Sequence, residues 1–281
     1  KIIVFNGEIY NFKNLKNKID TKKFSSNSDT EILINYFEKY KEQSLENFKG
    51  MFSFVIYDFE NKKCILARDR FGMKPLYYYN DKNFLIACSE IKPILKFLNK
   101  TKFNENAFSD FFIKGHMDHE ENTFFNDIKS LPPATYKIVS QNSDKEKYYW
   151  NLGDVKKDKS LGIKKTKIKL KGLFNNAIQE HLESDVEIGS CLSGGNDSSS
   201  ISSKSNSLLN YKMKTFTYEF KDQVSNINSE TFLAAKFAKN NKMKNFTAIV
   251  NPKYVLDKFD ELLINVESPI TSLRLFGIKK L

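Results

Sequence analysis

The segment SCLSGGNDSSS, residues 190–200, carries the residue types best suited to binding a charged ligand. An apolar-leaning run over residues 186–192 predicts a strand before it, and a weakly apolar helical pattern follows it. Small side chains at residues 193–195 would let backbone N–H groups approach phosphate oxygens near the positive end of a helix dipole. Ser198 and Ser199 could donate hydroxyl hydrogen bonds to the same oxygens. The turn therefore predicts an anion site.

Asp197 is unusual in such a turn, because a carboxylate beside phosphate is repelled unless a cation lies between them. Magnesium takes oxygen ligands from one or two carboxylates together with phosphates, so Asp197 is predicted to hold Mg²⁺. The Walker pattern GxxxxGK[ST] and the dinucleotide pattern GxGxxG are both absent. The competing interpretation is an ordinary small-residue turn whose serines cap a helix.

The elements around this turn alternate between strands and helices. Apolar residues at helical spacing over residues 170–182 predict an amphipathic helix before the first strand. A strand over residues 214–220 and a helix over residues 230–240 follow the turn. This alternation indicates a parallel α/β arrangement in the second half of the chain.

The first half is predicted to be rich in antiparallel sheet. Its opening run, residues 2–5, predicts a buried strand that ends in a turn at Asn6 and Gly7. Ser28 and Glu31 form the Ser-x-x-Glu pattern of a capping box, which predicts a helix over residues 29–41. Four more strands are predicted, at residues 51–59, 64–67, 76–79 and 84–87, the first two joined as a hairpin.

Composition limits the class of protein. The 281 residues favour two domains, and the sequence shows neither an apolar run long enough to span a membrane nor the order of a signal peptide. Cys64, Cys88 and Cys191 are scattered, which argues against a disulfide framework and a zinc site. We therefore predict a cytoplasmic protein.

The formal charge of +11 raises the question of a polyanionic partner. Most of the excess is lysine spread along the chain, which favours a solvated surface over a nucleic-acid site. Only residues 156–171 are concentrated, with eight lysines against Asp158, and we interpret this segment as a linker running into a helix.

The ordered set of motifs resembles the glutamine-hydrolysing asparagine synthetase family. SGGNDSS is similar to the pyrophosphate loop of ATP pyrophosphatases, and a series of first-half motifs precedes it in that family's order. These motifs are NGEIYN (6–11), SDTE (28–31), GMFSFVIYD (50–58), ARDRFGMKPLYYY (67–79), SEIKPIL (89–95), LPPATY (131–136) and YYW (148–150).

The resemblance implies a fold for each half. Residues 1–155 would form a class II glutamine amidotransferase domain, an N-terminal-nucleophile αββα sandwich of the α+β class. Residues 165–281 would form an α/β synthetase domain, a parallel-sheet pyrophosphate-loop fold that binds an adenine nucleotide. The segment between them would be the linker.

The resemblance also implies site residues. The Asn6 amide and the Gly7 N–H would form an oxyanion hole, because amide hydrolysis develops an oxyanion that fixed donors stabilise. Asp29 would bind the glutamine α-ammonium, with Glu8 as a second polar contact. Without the resemblance, Asp29 would be interpreted as an acid placed favourably at a helix start. The implied ATP-binding set is Cys191, Ser193, Gly194, Gly195, Asp197, Ser198, Ser199 and Tyr218.

Two departures from the family pattern concern the ends of the chain. The family's nucleophile is an N-terminal cysteine, whereas residue 1 is Lys1. Beyond Leu281, the family continues into further ATP and aspartate machinery. We therefore expect a fragment cut at both ends, without glutaminase activity of its own.

The implied reaction is amidation of aspartate through a β-aspartyl-AMP intermediate, with glutamine, aspartate, ATP and Mg²⁺ as substrates and cofactors. Two alternatives stay open. One keeps the architecture and changes the acceptor, as in β-lactam synthetases or surface-sugar amidation enzymes. The other is a tRNA-associated pyrophosphate-loop ATPase, which the first-half motifs disfavour. No membrane or nucleic-acid partner is expected, and a homodimer is an open option.

Overall fold

The computed structural model describes residues 1–19, 24–158, 160–221 and 229–281. Residue 159 of the lysine-rich segment lies outside these residues. The chain divides into two compact units, Lys1–Asp158 and Lys159–Leu281. Each unit buries its own apolar clusters. No helix among the described residues is both long and apolar enough to cross a membrane.

The first unit combines two antiparallel sheets with helices. The elements are β1 Ile2–Ile9, α1 Phe12–Lys16, α2 Asp29–Tyr40, β2 Gly50–Asp58, β3 Lys63–Arg68, β4 Tyr77–Asn80, β5 Leu85–Cys88, α3 Lys92–Leu98, α4 Glu105–Lys114, β6 Lys129–Ser130, β7 Thr135–Ser140 and β8 Ser143–Tyr148. The larger sheet has the strand order β1-β2-β3-β7-β8, and the smaller sheet has the order β5-β4-β6.

Alternation along the strands produces a layered arrangement, because successive side chains point to opposite faces of a sheet. Phe52 and Phe54 of β2 pack with α1 and α2, whereas Val55 packs on the smaller sheet. In β4, Tyr78 faces the larger sheet, while Tyr77 and its neighbours pack against α3. The first unit therefore has the order helix, sheet, sheet, helix.

The prediction that β1 is a buried strand ending at Asn6 was wrong. The strand continues to Ile9, and Ile2 and Val4 are 56% and 72% exposed. Because β1 is the edge strand of its sheet and only alternate residues face the core, half of its apolar run is left at the surface. Asn6 and Gly7 therefore lie in a strand and not in a turn.

The predicted capping box is only half present. Ser28 Oγ accepts a hydrogen bond from Thr30 N at 3.2 Å, as an N-cap should. The Glu31 carboxylate does not bond back to Ser28. It accepts from the backbone N–H groups of Ser25 and Ser26, both at 2.7 Å, and so fixes the chain before the helix.

The second unit alternates between helices and strands. Its elements are α5 Ile163–His181, β9 Gly189–Cys191, α6 Asn196–Leu208, β10 Lys214–Phe220, α7 Glu230–Asn240, β11 Lys244–Val250, α8 Pro252–Val266 and α9 Arg274–Lys280. The three strands form a parallel sheet of order β11-β10-β9. This agrees with the parallel α/β arrangement predicted from the alternation of elements.

Two elements of the second unit differ from prediction. The strand β9 is shorter than residues 186–192, because Val186 N is bonded to the Ser184 hydroxyl and Ile188 N to the Tyr211 hydroxyl instead of to a strand. The apolar stripe of α5 is not a buried face. Its Leu170 and Leu173 are 64% and 59% exposed, and within this helix only Ile178 is buried.

Candidate functional site

Asn6 and Gly7 are placed by the pairing of β1 with β2, in which Gly7 is opposite Phe52. Gly7 has φ 142°, and a Cβ there would lie 2.0 Å from the Met51 carbonyl oxygen. A side chain at this position would therefore force the two strands apart. The Asn6 amide Nδ2 donates to Ser89 Oγ at 3.2 Å, so this amide is held in a defined direction.

Asp29 is joined to the same strand. Its Oδ2 accepts a hydrogen bond from Ile9 N at 2.9 Å, which ties the first turn of α2 to the end of β1. The structure thus brings the predicted carboxylate beside the strand that carries Asn6 and Gly7. Glu8 is exposed and lies on the same strand face as Asn6, since the two are two positions apart in the strand. An amide donor and a carboxylate therefore lie along the same strand.

Asp69 supports this strand pair from behind, a role that the sequence did not indicate. Asp69 is only 1% exposed and its carboxylate accepts four backbone hydrogen bonds. The donors are Phe52 N (3.1 Å), Phe71 N (3.0 Å), Met73 N (3.0 Å) and Lys74 N (3.0 Å).

Arg70 and Arg68 complete this support with carbonyl partners. Arg70 donates to the carbonyls of Phe48 and Glu46 at 2.7 and 2.6 Å. The Arg68 guanidinium donates to the carbonyls of Lys74, Gly72 and Leu131 at 2.8, 2.9 and 2.7 Å. Its burial lowers the pKa of Arg68. The charged side chains of Arg68, Asp69 and Arg70 therefore hold the neighbouring backbone in place through hydrogen bonds, and we call these three residues the brace.

In the second unit, residues 193–195 form a short turn before α6, and the hydroxyl groups of Ser193 and Ser198 lie beside it. Ser198 Oγ lies 3.3 Å from Ser193 N as acceptor and 3.1 Å from Ser193 Oγ. Gly195 N donates to Ser193 Oγ at 3.3 Å. The serine hydroxyls thus accept hydrogen bonds from the backbone N–H groups of Ser193 and Gly195. Small rotations of the serine side chains would free these N–H groups to donate to an anion instead.

Gly194 lets this turn lie close to α7. It has φ 82°, and a Cβ would lie 2.8 Å from Leu233 Cβ and 2.9 Å from Ala234 N. Ala234 is fully buried, so the helix backbone has little room to move away. Glycine is therefore required both for the backbone angle and for the close approach.

The other predicted residues of this site are distributed around the turn. Asp197 is exposed in the first turn of α6, whereas Ser199 is buried on the packed face of that helix. Cys191 is exposed and is therefore not a core residue of this unit. The Tyr218 ring lies against α9, where a Cβ at Gly277 would be 2.3 Å from it. Tyr218 could therefore offer a ligand its backbone more readily than its ring.

The residues present are compatible with Mg²⁺ in one specific way. Within the part of the chain that the structure describes, no group of three or more His, Cys, Asp or Glu residues could hold a metal ion. Magnesium does not need such a cage, because it retains waters and uses one or two carboxylates with substrate phosphates. A single exposed Asp197 beside the glycine turn fits that donor set.

Comparison with known proteins agrees with the two-part organisation. Residues 1–150 match the family described as glutamine amidotransferase domain, and residues 169–276 match the family described as asparagine synthase. Asparagine synthetase (glutamine-hydrolysing) 1 of Bacillus subtilis (strain 168) is 28% identical over 273 residues, covering 95% of this chain and 42% of that protein. Asparagine synthetase (glutamine-hydrolysing) 2 of the same organism is 34% identical over 211 residues, covering 71% of this chain and 28% of that protein.

A relative with a different name has comparable similarity. Amidase chry2 of Gibberella zeae is 30% identical over 241 residues, covering 77% of this chain and 34% of that protein. This chain therefore spans less than half of the length of each of the three relatives.

Proposed function

Because this chain belongs to the glutamine-hydrolysing asparagine synthetase family, we propose that its protein amidates aspartate to asparagine, using ammonia from glutamine and driven by ATP. The observation that supports this most is the succession of an amidotransferase unit and a unit with a glycine turn before a helix. The boundaries proposed from the sequence, residues 1–155 and 165–281, are retained.

For the first unit we propose the N-terminal-nucleophile αββα fold, in agreement with its helix, sheet, sheet, helix layers. Asn6 and Gly7 would stabilise the oxyanion that forms when the glutamine amide is cleaved. Asp29 would bind the α-ammonium group of glutamine, and Glu8 would be a further polar contact. The fixed direction of the Asn6 amide supports this role, since preorganised donors need no reorganisation during the reaction.

For the second unit we propose a pyrophosphate-loop fold that binds ATP. The backbone of residues 193–195 and the Ser198 hydroxyl would hold the phosphates, and Ser199 would support the turn from the buried side. Cys191 and Tyr218 would line the adenine pocket through their backbones. The aspartate carboxylate would attack ATP to give β-aspartyl-AMP and pyrophosphate, and ammonia would then displace AMP. Bound through Asp197, Mg²⁺ would neutralise phosphate charge during this transfer.

A different acceptor is the second candidate function. The similarity to amidase chry2 shows that comparable sequences carry other names. The first unit would keep its role in this case, while the carboxylate activated by ATP would differ.

We also propose a cytoplasmic location, from the scattered cysteines, and a homodimer, which size-exclusion chromatography with light scattering would test.

The experiment is an acceptor screen. The protein is incubated with ATP, Mg²⁺ and a panel of carboxylates, with either [¹⁵N-amide]glutamine or ¹⁵N-ammonium as nitrogen donor. We expect ¹⁵N in asparagine, with AMP and pyrophosphate released in equal amounts. Pyrophosphate release that requires another carboxylate would favour the second candidate. A salt-sensitive tRNA complex, with no pyrophosphate release that depends on any carboxylate of the panel, would reject both.

A further inference from the structure

Glu219 is a buried acidic residue that the proposed reaction does not use. It lies one residue before the end of β10, the central strand of the parallel sheet, and is 8% exposed. Its Oε1 is buried and has no hydrogen-bond partner among the residues that the structure describes. Buried polar groups are nearly always hydrogen-bonded, so an unpartnered oxygen beside a ligand site suggests that the ligand supplies the partner.

The sheet register fixes the face on which this carboxyl group lies. Ser190 pairs with Thr215, and the Ser190 and Ser202 Oγ atoms hydrogen-bond at 2.9 Å. The face of β10 that carries Thr215 is therefore the face covered by α6. Since strand side chains repeat every two residues, Glu219 lies on this same face.

Glu219 is also close to the glycine turn along the strand. Thr217 Oγ1, two residues earlier on the same face, donates to the Leu192 carbonyl at 2.8 Å. Leu192 directly precedes the turn at residues 193–195. Two residues of a strand span about 6.5 Å, so the Glu219 backbone lies roughly one strand repeat beyond this contact, at the carboxyl edge of the sheet.

The unit β9-α6-β10 thus places a glycine turn at a helix start and an acid at the end of the adjacent parallel strand. In nucleotide-binding folds with this connectivity, phosphate lies at the helix start and the acid binds ribose hydroxyls. The chemistry favours the same partner here. A carboxylate beside phosphates is repelled, whereas the ribose hydroxyls are the donors nearest to the phosphate chain.

We propose that Glu219 accepts hydrogen bonds from the ribose hydroxyls of the nucleotide whose phosphates lie at residues 193–198. Glu219 would thereby make the site selective for ribonucleotides over deoxyribonucleotides. This assignment rests on the proposed ATP site and adds a specificity-determining residue to it.

The test is equilibrium binding by isothermal titration calorimetry. The ligands are Mg²⁺-ATP, its 2′-deoxy and 3′-deoxy analogues, inosine triphosphate and inorganic pyrophosphate. We expect wild-type protein to bind ATP about 10- to 100-fold more tightly than at least one deoxy analogue, the usual range for a charged hydrogen bond. E219Q should reduce this ratio towards one and leave pyrophosphate binding unchanged. The control E187Q removes an exposed carboxylate that pairs with Lys214 and should change neither.

The outcomes separate this inference from the function on which it rests. Equal binding of ATP and both deoxy analogues to wild-type protein would overturn the ribose contact, while pyrophosphate and ATP binding would leave the ATP site in place. An effect of E219Q on discrimination against inosine triphosphate alone would also overturn it, because that result would assign the carboxyl group to the base. Absence of binding by both ATP and pyrophosphate would reject the ATP site and the inference together. The wild-type comparison needs no variant, so it holds even if E219Q does not fold.

Discussion

The two candidate sites both depend on a glycine that cannot carry a side chain, but they are supported in different ways. Gly7 lies inside an antiparallel strand pair, where its neighbour Phe52 is fully buried and held by Asp69. Gly194 lies in a turn after a three-residue strand, where serine hydroxyls satisfy the backbone. The first site is therefore part of the core of its unit, whereas the second rests on the surface of a smaller core.

This difference teaches where each site should be sensitive to change. A site that is built into paired strands is preorganised, and damage to it should appear first as lost folding stability. A turn that satisfies itself with rotatable hydroxyls can exchange them for a ligand, so damage there should appear first as lost binding.

The strongest test is the substitution Gly7→Ala. A Cβ 2.0 Å from the Met51 carbonyl requires a backbone shift, so we expect a loss of about 4 kcal/mol or more in the free energy of unfolding, or failure to fold. Thermal and urea unfolding would measure it. The matched control is Gly172→Ala in α5, where a Cβ meets nothing within 4 Å and should increase stability by about 0.5–1 kcal/mol. Equal effects of the two variants on the free energy of unfolding would contradict the claim that the strand pair around Gly7 requires glycine.

Removal of the brace is expected to have the next largest effect. Asp69→Ala leaves four backbone N–H groups without their carboxylate acceptor, and we expect a loss of about 3–4 kcal/mol. Asp81→Ala serves as control, because Asp81 accepts from Asn83 N and Phe84 N in an exposed turn. Its loss should be about 1 kcal/mol, since water can replace the carboxylate there. Similar losses in urea unfolding would show that Asp69 is not a brace.

Gly194→Ala should separate binding from folding. The strained φ and the contacts at 2.8–2.9 Å predict a loss of about 1–3 kcal/mol in stability. Because the turn must shift, pyrophosphate affinity should fall at least about tenfold. Calorimetric titration and thermal unfolding of the same sample measure both quantities. A variant that binds pyrophosphate normally would refute the assignment of this turn to phosphate.

The dependence of stability on acidic pH should differ between a buried carboxylate of the first unit, Asp58, and an exposed carboxylate of the second unit. The Asn61 side-chain amide, at 2.9 Å, lowers the pKa of Asp58 from 3.8 to about 2. Since the folded-state pKa is depressed, its stabilisation is present above pH 4 and is lost as the pH falls towards 2. The stability difference between wild type and Asp58→Asn should therefore shrink by about 2 kcal/mol between pH 5 and pH 2.

The exposed counterpart is Glu261. Lys258 and then Lys279 lower its pKa to about 2, but the side chain is 50% exposed. Its contribution should be smaller and should weaken as salt is added, because solvent ions screen surface pairs. Unfolding of Glu261→Gln at low and high salt would check this, and a salt-independent effect as large as that of Asp58 would contradict it.

Helix caps should give the smallest effect and no difference between the units. Ser28 accepts from Thr30 N and Ser229 from Phe232 N, both at 3.2 Å. Alanine at either position should cost about 1 kcal/mol, because the loss is local to the first turn. Unequal losses in urea unfolding would mean that even local elements depend on the unit around them.

Periodicity and turn chemistry predicted many of the elements. The predicted strand at residues 214–220 and helix at residues 230–240 have the bounds found in the structure. The same rules failed at Gly7, where glycine was interpreted as the end of a strand although it serves close strand contact. They failed again at Ile188, whose backbone N–H donates to the hydroxyl of Tyr211, a side chain remote in sequence. Such bonds leave no local pattern.

The candidate sites were predictable to a similar extent. Motif spacing singled out Gly194, because glycine at a strand-to-helix turn is a requirement visible in the residue type itself. Asp29 was predicted only through the family resemblance, since its residue type and position alone also fit an acid at a helix start. Asp69 and Glu219 were not identified, since a carboxylate that holds four N–H groups and one without a partner look alike in sequence. Only the register of the neighbouring strands distinguishes them.

The exposed apolar stripe of α5 has a consequence for the behaviour of concentrated solutions. Leu170 and Leu173 lie on a helix that also carries five lysines between residues 164 and 171. Like charges on neighbouring molecules keep such stripes apart at low ionic strength, and at about 0.1 M salt the screening length falls to about 10 Å. The protein should therefore stay monodisperse in dilute buffer and self-associate reversibly as salt is added.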